Sequence, residues 1–79
     1  MKAIQTKYLG PTNSRGSRIK AFDEDNNQVT IPYPYALSGE DVHRKAADAL
    51  MFKMGWEDNC EIIGSGSIKN GYVFTLAFK

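Results

Sequence analysis

One stretch of this chain has helical periodicity, and it lies between two blocks that alternate like strands. That constrains the fold more than any other feature, because one helix covers one face of a sheet and no more. Across positions 39–54, Val42, Ala46, Ala47, Ala49, Leu50, Met51 and Met54 fill a wide apolar arc, and Asp41, Arg44, Lys45 and Asp48 fall outside it. Three alanines on the arc allow close approach to a sheet. Ser38 with Asp41 three residues on reads as a capping box, and Glu40 and Asp41 suit the positive end of the helix dipole. Gly55 stands where a left-handed residue ends a helix. The spacing predicts a helix over 39–54.

Upstream, positions 2–9 alternate, with Ile4, Thr6 and Tyr8 on one side and Gln5 and Lys7 on the other. Positions 17–22 resume the pattern with Ile19 and Ala21 opposite Arg18 and Lys20, and 28–31 make a third strand. Gly10-Pro11-Thr12-Asn13-Ser14-Arg15-Gly16 is a loop of turn formers, and Asp23-Glu24-Asp25-Asn26-Asn27 is a polar turn. Pro32 and Pro34 lack amide donors, which puts Tyr33 and Tyr35 on an edge or in an extended exit.

Downstream, 60–63 is a short strand that Gly64-Ser65-Gly66-Ser67 loosens into a bulge or flexible turn. Asn70-Gly71 is a hairpin signal, and 72–78, apolar on both parities, suits an internal strand. The expected fold is α+β: a single small domain, 1–79, in the order β-β-β-α-β-β, an antiparallel sheet with one helix packed on one face. The other face is then either solvated or a binding surface.

Composition narrows the classes. A chain of 79 residues supports one modest core and no cleft between lobes. Its 42% apolar and 24% charged residues are those of a globular domain. No apolar run approaches the ~20 residues of a membrane span. Met1-Lys2-Ala3-Ile4-Gln5-Thr6 has no apolar core of a secretory signal, and Cys60 is the only cysteine. Both features lead to the expectation of a reducing cytoplasm and no membrane partner.

The net charge of +1 hides a segregation. Lys2, Lys7, Arg15, Arg18 and Lys20 lie in the first twenty residues with no acid, giving +5; the remaining five bases face nine acids, giving −4. Either an anionic partner meets the basic segment, or Asp23, Glu24 and Asp25 neutralise it within the chain. The loop and following strand carry the residue types that hold phosphate oxygens: Lys7, Asn13, Arg15, Arg18 and Lys20. Tyr33 and Tyr35 offer flat rings for an unpaired base. The plainer alternative is a mobile loop whose arginines lie over the sheet.

Other candidates are weaker. Gly64-Ser65-Gly66-Ser67 has the composition of a phosphate cradle but precedes a strand rather than a helix. His43 edges the apolar arc with no nucleophile beside it, and Cys60 sits in an apolar strand as a core residue would. One His and one Cys fall short of a zinc site, and no nucleophile elbow frames a serine. The reading is therefore no enzyme, no metal and no cofactor. Phe52 at the margin of the helix's polar face either covers a sheet margin or anchors a protein partner, and Asp23, Glu24 and Asp25 are a second candidate patch for such a partner. An exposed strand edge would also permit a homodimer.

Two stretches carry a resemblance: Lys7-Tyr8-Leu9-Gly10-Pro11-Thr12-Asn13-Ser14-Arg15-Gly16-Ser17-Arg18-Ile19-Lys20-Ala21 and Pro32-Tyr33-Pro34-Tyr35-Ala36-Leu37-Ser38-Gly39-Glu40-Asp41. With the Tyr72-Val73-Phe74 ending, the chain resembles small proteins encoded by bacteriophages and mobile elements, a group without an assigned activity. The resemblance implies a bacterial cytoplasm and two roles: handling nucleic acid, or blocking a host defence complex as anti-CRISPR proteins of similar size do. It transfers no functional residue.

Overall fold

The computed structural model describes residues 2–79. Strands β1 (Lys2–Leu9), β2 (Arg18–Phe22), β3 (Gln28–Pro32), β4 (Cys60–Ile68) and β5 (Gly71–Phe78) form one sheet, and helix α1 (Glu40–Met54) runs between β3 and β4. All neighbouring strands are antiparallel, in the spatial order β3-β2-β1-β5-β4. The α+β class and the β-β-β-α-β-β order are those expected from the sequence.

The period-two alternation decides what each strand gives to each face. Ile4 and Thr6 of β1, Ile19 and Ala21 of β2, and Phe74 and Leu76 of β5 are buried beneath α1. The helix meets them with Val42, Ala46, Ala47, Leu50 and Met51. Burial of each larger side chain contributes about 1.5–3 kcal/mol. The intervening residues, Gln5, Lys7, Arg18 and Lys20 among them, project from the uncovered face. Helix α1 packs over β1, β2, β3 and β5, and touches β4 through the side chain of Glu40 at its first turn.

Three local expectations are corrected. Ser38 does not cap the helix: the N-cap is Gly39, at φ 61°, with no side-chain hydrogen bond. That left-handed backbone turns Ser38 out of the first turn, and Glu40 instead accepts a 2.8 Å hydrogen bond from the Ser65 hydroxyl. The C-terminus follows expectation. Gly55 is left-handed, its N–H donates to the Phe52 carbonyl, and Trp56 donates to Met51, the paired bonds of a Schellman ending.

Second, β4 does not stop near 63. It runs through the Gly-Ser stretch to Ile68, because β5 offers a continuous partner strand, and a register shift between Ile62 and Gly64 absorbs the extra residue as a bulge. Third, the β4–β5 turn sits one residue early: Ile68 pairs with Gly71, and Asn70 supplies the positive φ of 68°. Gly71 serves instead as a close-approach residue, since a Cβ there would overlap the Thr6 carbonyl of β1.

Candidate nucleic-acid interface

The register of β1 on β2 places Lys7 directly opposite Lys20 and Leu9 opposite Arg18. Arg18 is therefore diagonal to Lys7 on the same, uncovered face, and three cations share a patch two strands wide. None of them, and not Arg15 either, is in an ion pair among the described residues. The ammonium of Lys20 lies 5.5 Å from the Phe22 ring. Like charges directly opposite each other destabilise a sheet.

The acidic turn does not neutralise this patch. Asp23 is buried and accepts hydrogen bonds from the backbone N–H groups of Asp25 and Asn27, at 3.0 and 2.9 Å, and from Asn27 Nδ2 at 2.9 Å. Its one cationic neighbour among the described residues is Lys2, 3.8 Å from both Asp23 and Asp25. Burial pushes the Asp23 carboxyl upward, but the Asn27 and Asp25 hydrogen bonds and Lys2 outweigh it, and the group sits below its ordinary value of 3.8. Of the five N-terminal cations only Lys2 is in an ion pair among the described residues. Asp23 is a turn-building residue and not an available partner contact; Glu24 and Asp25 remain exposed.

At the corner of the sheet, the β1–β2 loop and the chain leaving β3 border an open groove of about 520 Å³. Arg15 and Arg18 line one side, and Pro32, Tyr33 and Tyr35 the other. The loop is built by reciprocal bonds: Thr12 N–H donates to the Arg15 carbonyl at 2.7 Å, and Arg15 N–H to the Thr12 hydroxyl at 3.1 Å. Tyr33 N–H donates to the Ser17 carbonyl at 3.1 Å, and the Tyr8 and Ser17 hydroxyls are 2.9 Å apart. Tyr8 holds the Tyr33 ring edge-on at 6.0 Å and 88°. Tyr35, 78% exposed, lies 5.0 Å from Tyr33.

The structure thus divides the residues singled out by sequence. Lys7, Lys20 and Arg18 share the open face. Tyr33 packs toward the helix-covered core, so the tyrosines make no platform beneath the lysines; the aromatic ring on that face is Phe22, under Lys20. Tyr33 and Tyr35 meet Arg15 and Arg18 only at the corner groove, where Arg18 belongs to both surfaces. Asn13 is exposed and does not line the groove. The buttress formed by Tyr8 and Ser17 was not foreseen; its one sequence signal is that Tyr8 shares the parity of Ile4 and Thr6.

Phe52 covers no sheet margin. Its ring is 71% exposed beside Lys45, Asp48 and Glu57. His43 faces the sheet, 2.8 Å from the Thr6 hydroxyl and 4.8 Å from the Tyr72 ring, and burial lowers its pKa from the ordinary 6.5. Cys60 is buried. No group of three potential metal ligands converges among the described residues, and no helix there is long and apolar enough to cross a membrane. Comparison of the chain with protein-family models, with curated proteins and with solved structures gave no match.

Proposed function

We propose that this domain is a non-enzymatic nucleic-acid-binding module that lays phosphates across the open face of β1 and β2. The observation that carries the reading is the Lys7–Lys20 cross-strand pair with Arg18 diagonal to it and, among the described residues, no carboxylate in an ion pair with any of them. A sheet gains nothing from that arrangement unless an anion lies over it. Arg15 extends the patch into the loop.

The test is fluorescence anisotropy of labelled single-stranded DNA, duplex DNA and RNA at low and near-physiological salt. With Lys7, Arg15, Arg18 and Lys20 each meeting one phosphate, log affinity for a single strand falls against log salt with a slope of about −2.8. The Arg15→Glu/Arg18→Glu double variant loses binding. Salt-independent binding, or binding that survives the double variant, refutes the proposal. An origin in a bacteriophage or mobile element, and with it a bacterial cytoplasm, belongs to this reading and rests on the resemblance alone.

A second reading, a protein-binding inhibitor of a host defence complex, is favoured by exposed Phe52. Its signature is a stoichiometric host protein that co-purifies after nuclease treatment and is lost in Phe52→Asp.

A further inference from the structure

We infer that the corner groove is a site for one unstacked nucleotide, its phosphate on Arg15 and Arg18 and its base on Tyr35. The inference deepens the nucleic-acid reading and rests on it for the partner's class: a strand lying over Lys7 and Lys20 ends, or splays one residue, into the groove. The open groove, at about 520 Å³, is within the ~300–1,000 Å³ range of small-molecule sites.

Three features of the groove point to a phosphate joined to a flat ring rather than to an anion alone. First, no carboxylate lines it, and neither arginine has an ionic partner among the described residues. Second, Arg18 Nε is buried with no hydrogen-bond acceptor among the described residues. A buried donor on a charged group is costly to leave unsatisfied, and a small turn of the Arg18 side chain toward a phosphate oxygen beside Arg15 gives it the acceptor it lacks.

Third, the opposite wall is aromatic and held in place. Tyr8 fixes the Tyr33 ring from its edge, a turn closed by the Leu37 N–H on the Pro34 carbonyl carries Tyr35, and Tyr35 leans on Tyr33 at 46° with most of its surface open. The rigid ring supports the exposed one, which reduces the ordering cost of stacking a base on it. A base inside a duplex cannot present its face, so the groove selects single strands, while the lysine patch alone does not distinguish them.

The test titrates the full chain with adenosine monophosphate, adenosine and inorganic phosphate at low salt, followed by amide and arginine side-chain NMR shifts. The monophosphate is expected to bind at least tenfold more tightly than either half, with shifts at Arg15, Arg18 and Tyr35. Tyr35→Ala, at an exposed position that leaves the fold intact, weakens it roughly tenfold, to the level of phosphate. Arg15→Gln, also at an exposed position, reduces it toward adenosine. Phosphate binding as tightly as the monophosphate, or monophosphate binding unchanged in both variants, overturns the inference.

Polynucleotide titrations separate this result from the broader proposal. Equal, salt-sensitive binding of single strands and duplex without monophosphate binding sinks the groove and leaves the lysine face standing. Monophosphate binding sensitive to Tyr35→Ala, with no polynucleotide bound, sinks the nucleic-acid reading and leaves the groove as a nucleotide site.

Discussion

Reversing one charge at the Lys7–Lys20 pair separates the demands of stability from those of binding. Lys7→Glu is the cleaner side to change, because Lys20 also contacts Phe22 and its loss would remove a cation–π interaction. Directly opposite residues have Cβ atoms about 5 Å apart, and two long, solvated side chains splay to roughly 7 Å between charges. In water that repulsion is about 0.6 kcal/mol, and reversal turns it into an attraction of the same size. Halving the swing of about 1.2 kcal/mol for side-chain freedom and residual screening leaves a gain of about 0.6 kcal/mol. For a domain of this length, that raises Tm by roughly 3–4 °C.

The assay is thermal unfolding by circular dichroism at low ionic strength and again in ~1 M salt, where the screening length falls to about 3 Å and the gain disappears. Lys7→Gln gives about half the shift. Over the same series, affinity for single-stranded DNA falls and its salt slope shallows by about 0.7 for the lost phosphate. A variant that is more stable and binds less is the signature of a surface kept electrostatically strained for a ligand. A Tm that falls, or a rise that salt does not remove, refutes the argument at its root, since Lys7 and Lys20 would then not face one another.

The remaining predictions address the frame that holds this surface. Asp23→Ala removes the acceptor of three hydrogen bonds and costs about 2 kcal/mol by chemical denaturation. Because the folded carboxyl lies below its ordinary 3.8, its contribution is complete above that pH and is lost as pH falls through the folded value, so Asp23→Asn flattens the acid limb of stability. His43 is also held below its ordinary 6.5, so the unfolded chain binds its proton first; stability declines as pH drops below 6.5, and His43→Gln removes that slope. Gly71→Ala forces a Cβ into the Thr6 carbonyl and costs about 3 kcal/mol or more, read as a large fall in Tm. Phe52→Ala, at an exposed position, changes stability by no more than about 0.5 kcal/mol.

Much of the fold was legible because alternation is a local signal. Ile4 and Thr6, then Ile19 and Ala21, announce their buried face without reference to anything distant, and α1 does the same at its own period. What was not legible depended on long-range partners. Ser38 had the chemistry of a cap, but the path of the chain after β3 set Gly39 in its place. Gly71 looked like a turn residue because Asn-Gly is one in isolation. Only the presence of β1 against β5 makes it a close-approach position. Which face Tyr33 takes was likewise open until β3 paired with β2, because the residue lies one step beyond Pro32 and no local pattern extends to it.

The candidate site inherits this division. The lysine face was readable in kind, since Arg18 and Lys20 share a parity, but its force comes from register. A slip of one residue between β1 and β2 would set Lys7 against Arg18's neighbours and carry Ile19 and Ala21 out of the core. The same five residues of β2 therefore specify both surfaces: Ile19 and Ala21 anchor the helix, and Arg18 and Lys20 build the cationic patch on the other side. No substitution that shifts the register can spare the site, and no selection for the site alone can relax the register. Core variants that preserve parity, such as Ile19→Val, should leave polyanion binding intact while lowering stability by about 0.5–1.5 kcal/mol. Their binding measured against Lys7→Glu distinguishes a defect of the surface from a defect of the sheet that carries it.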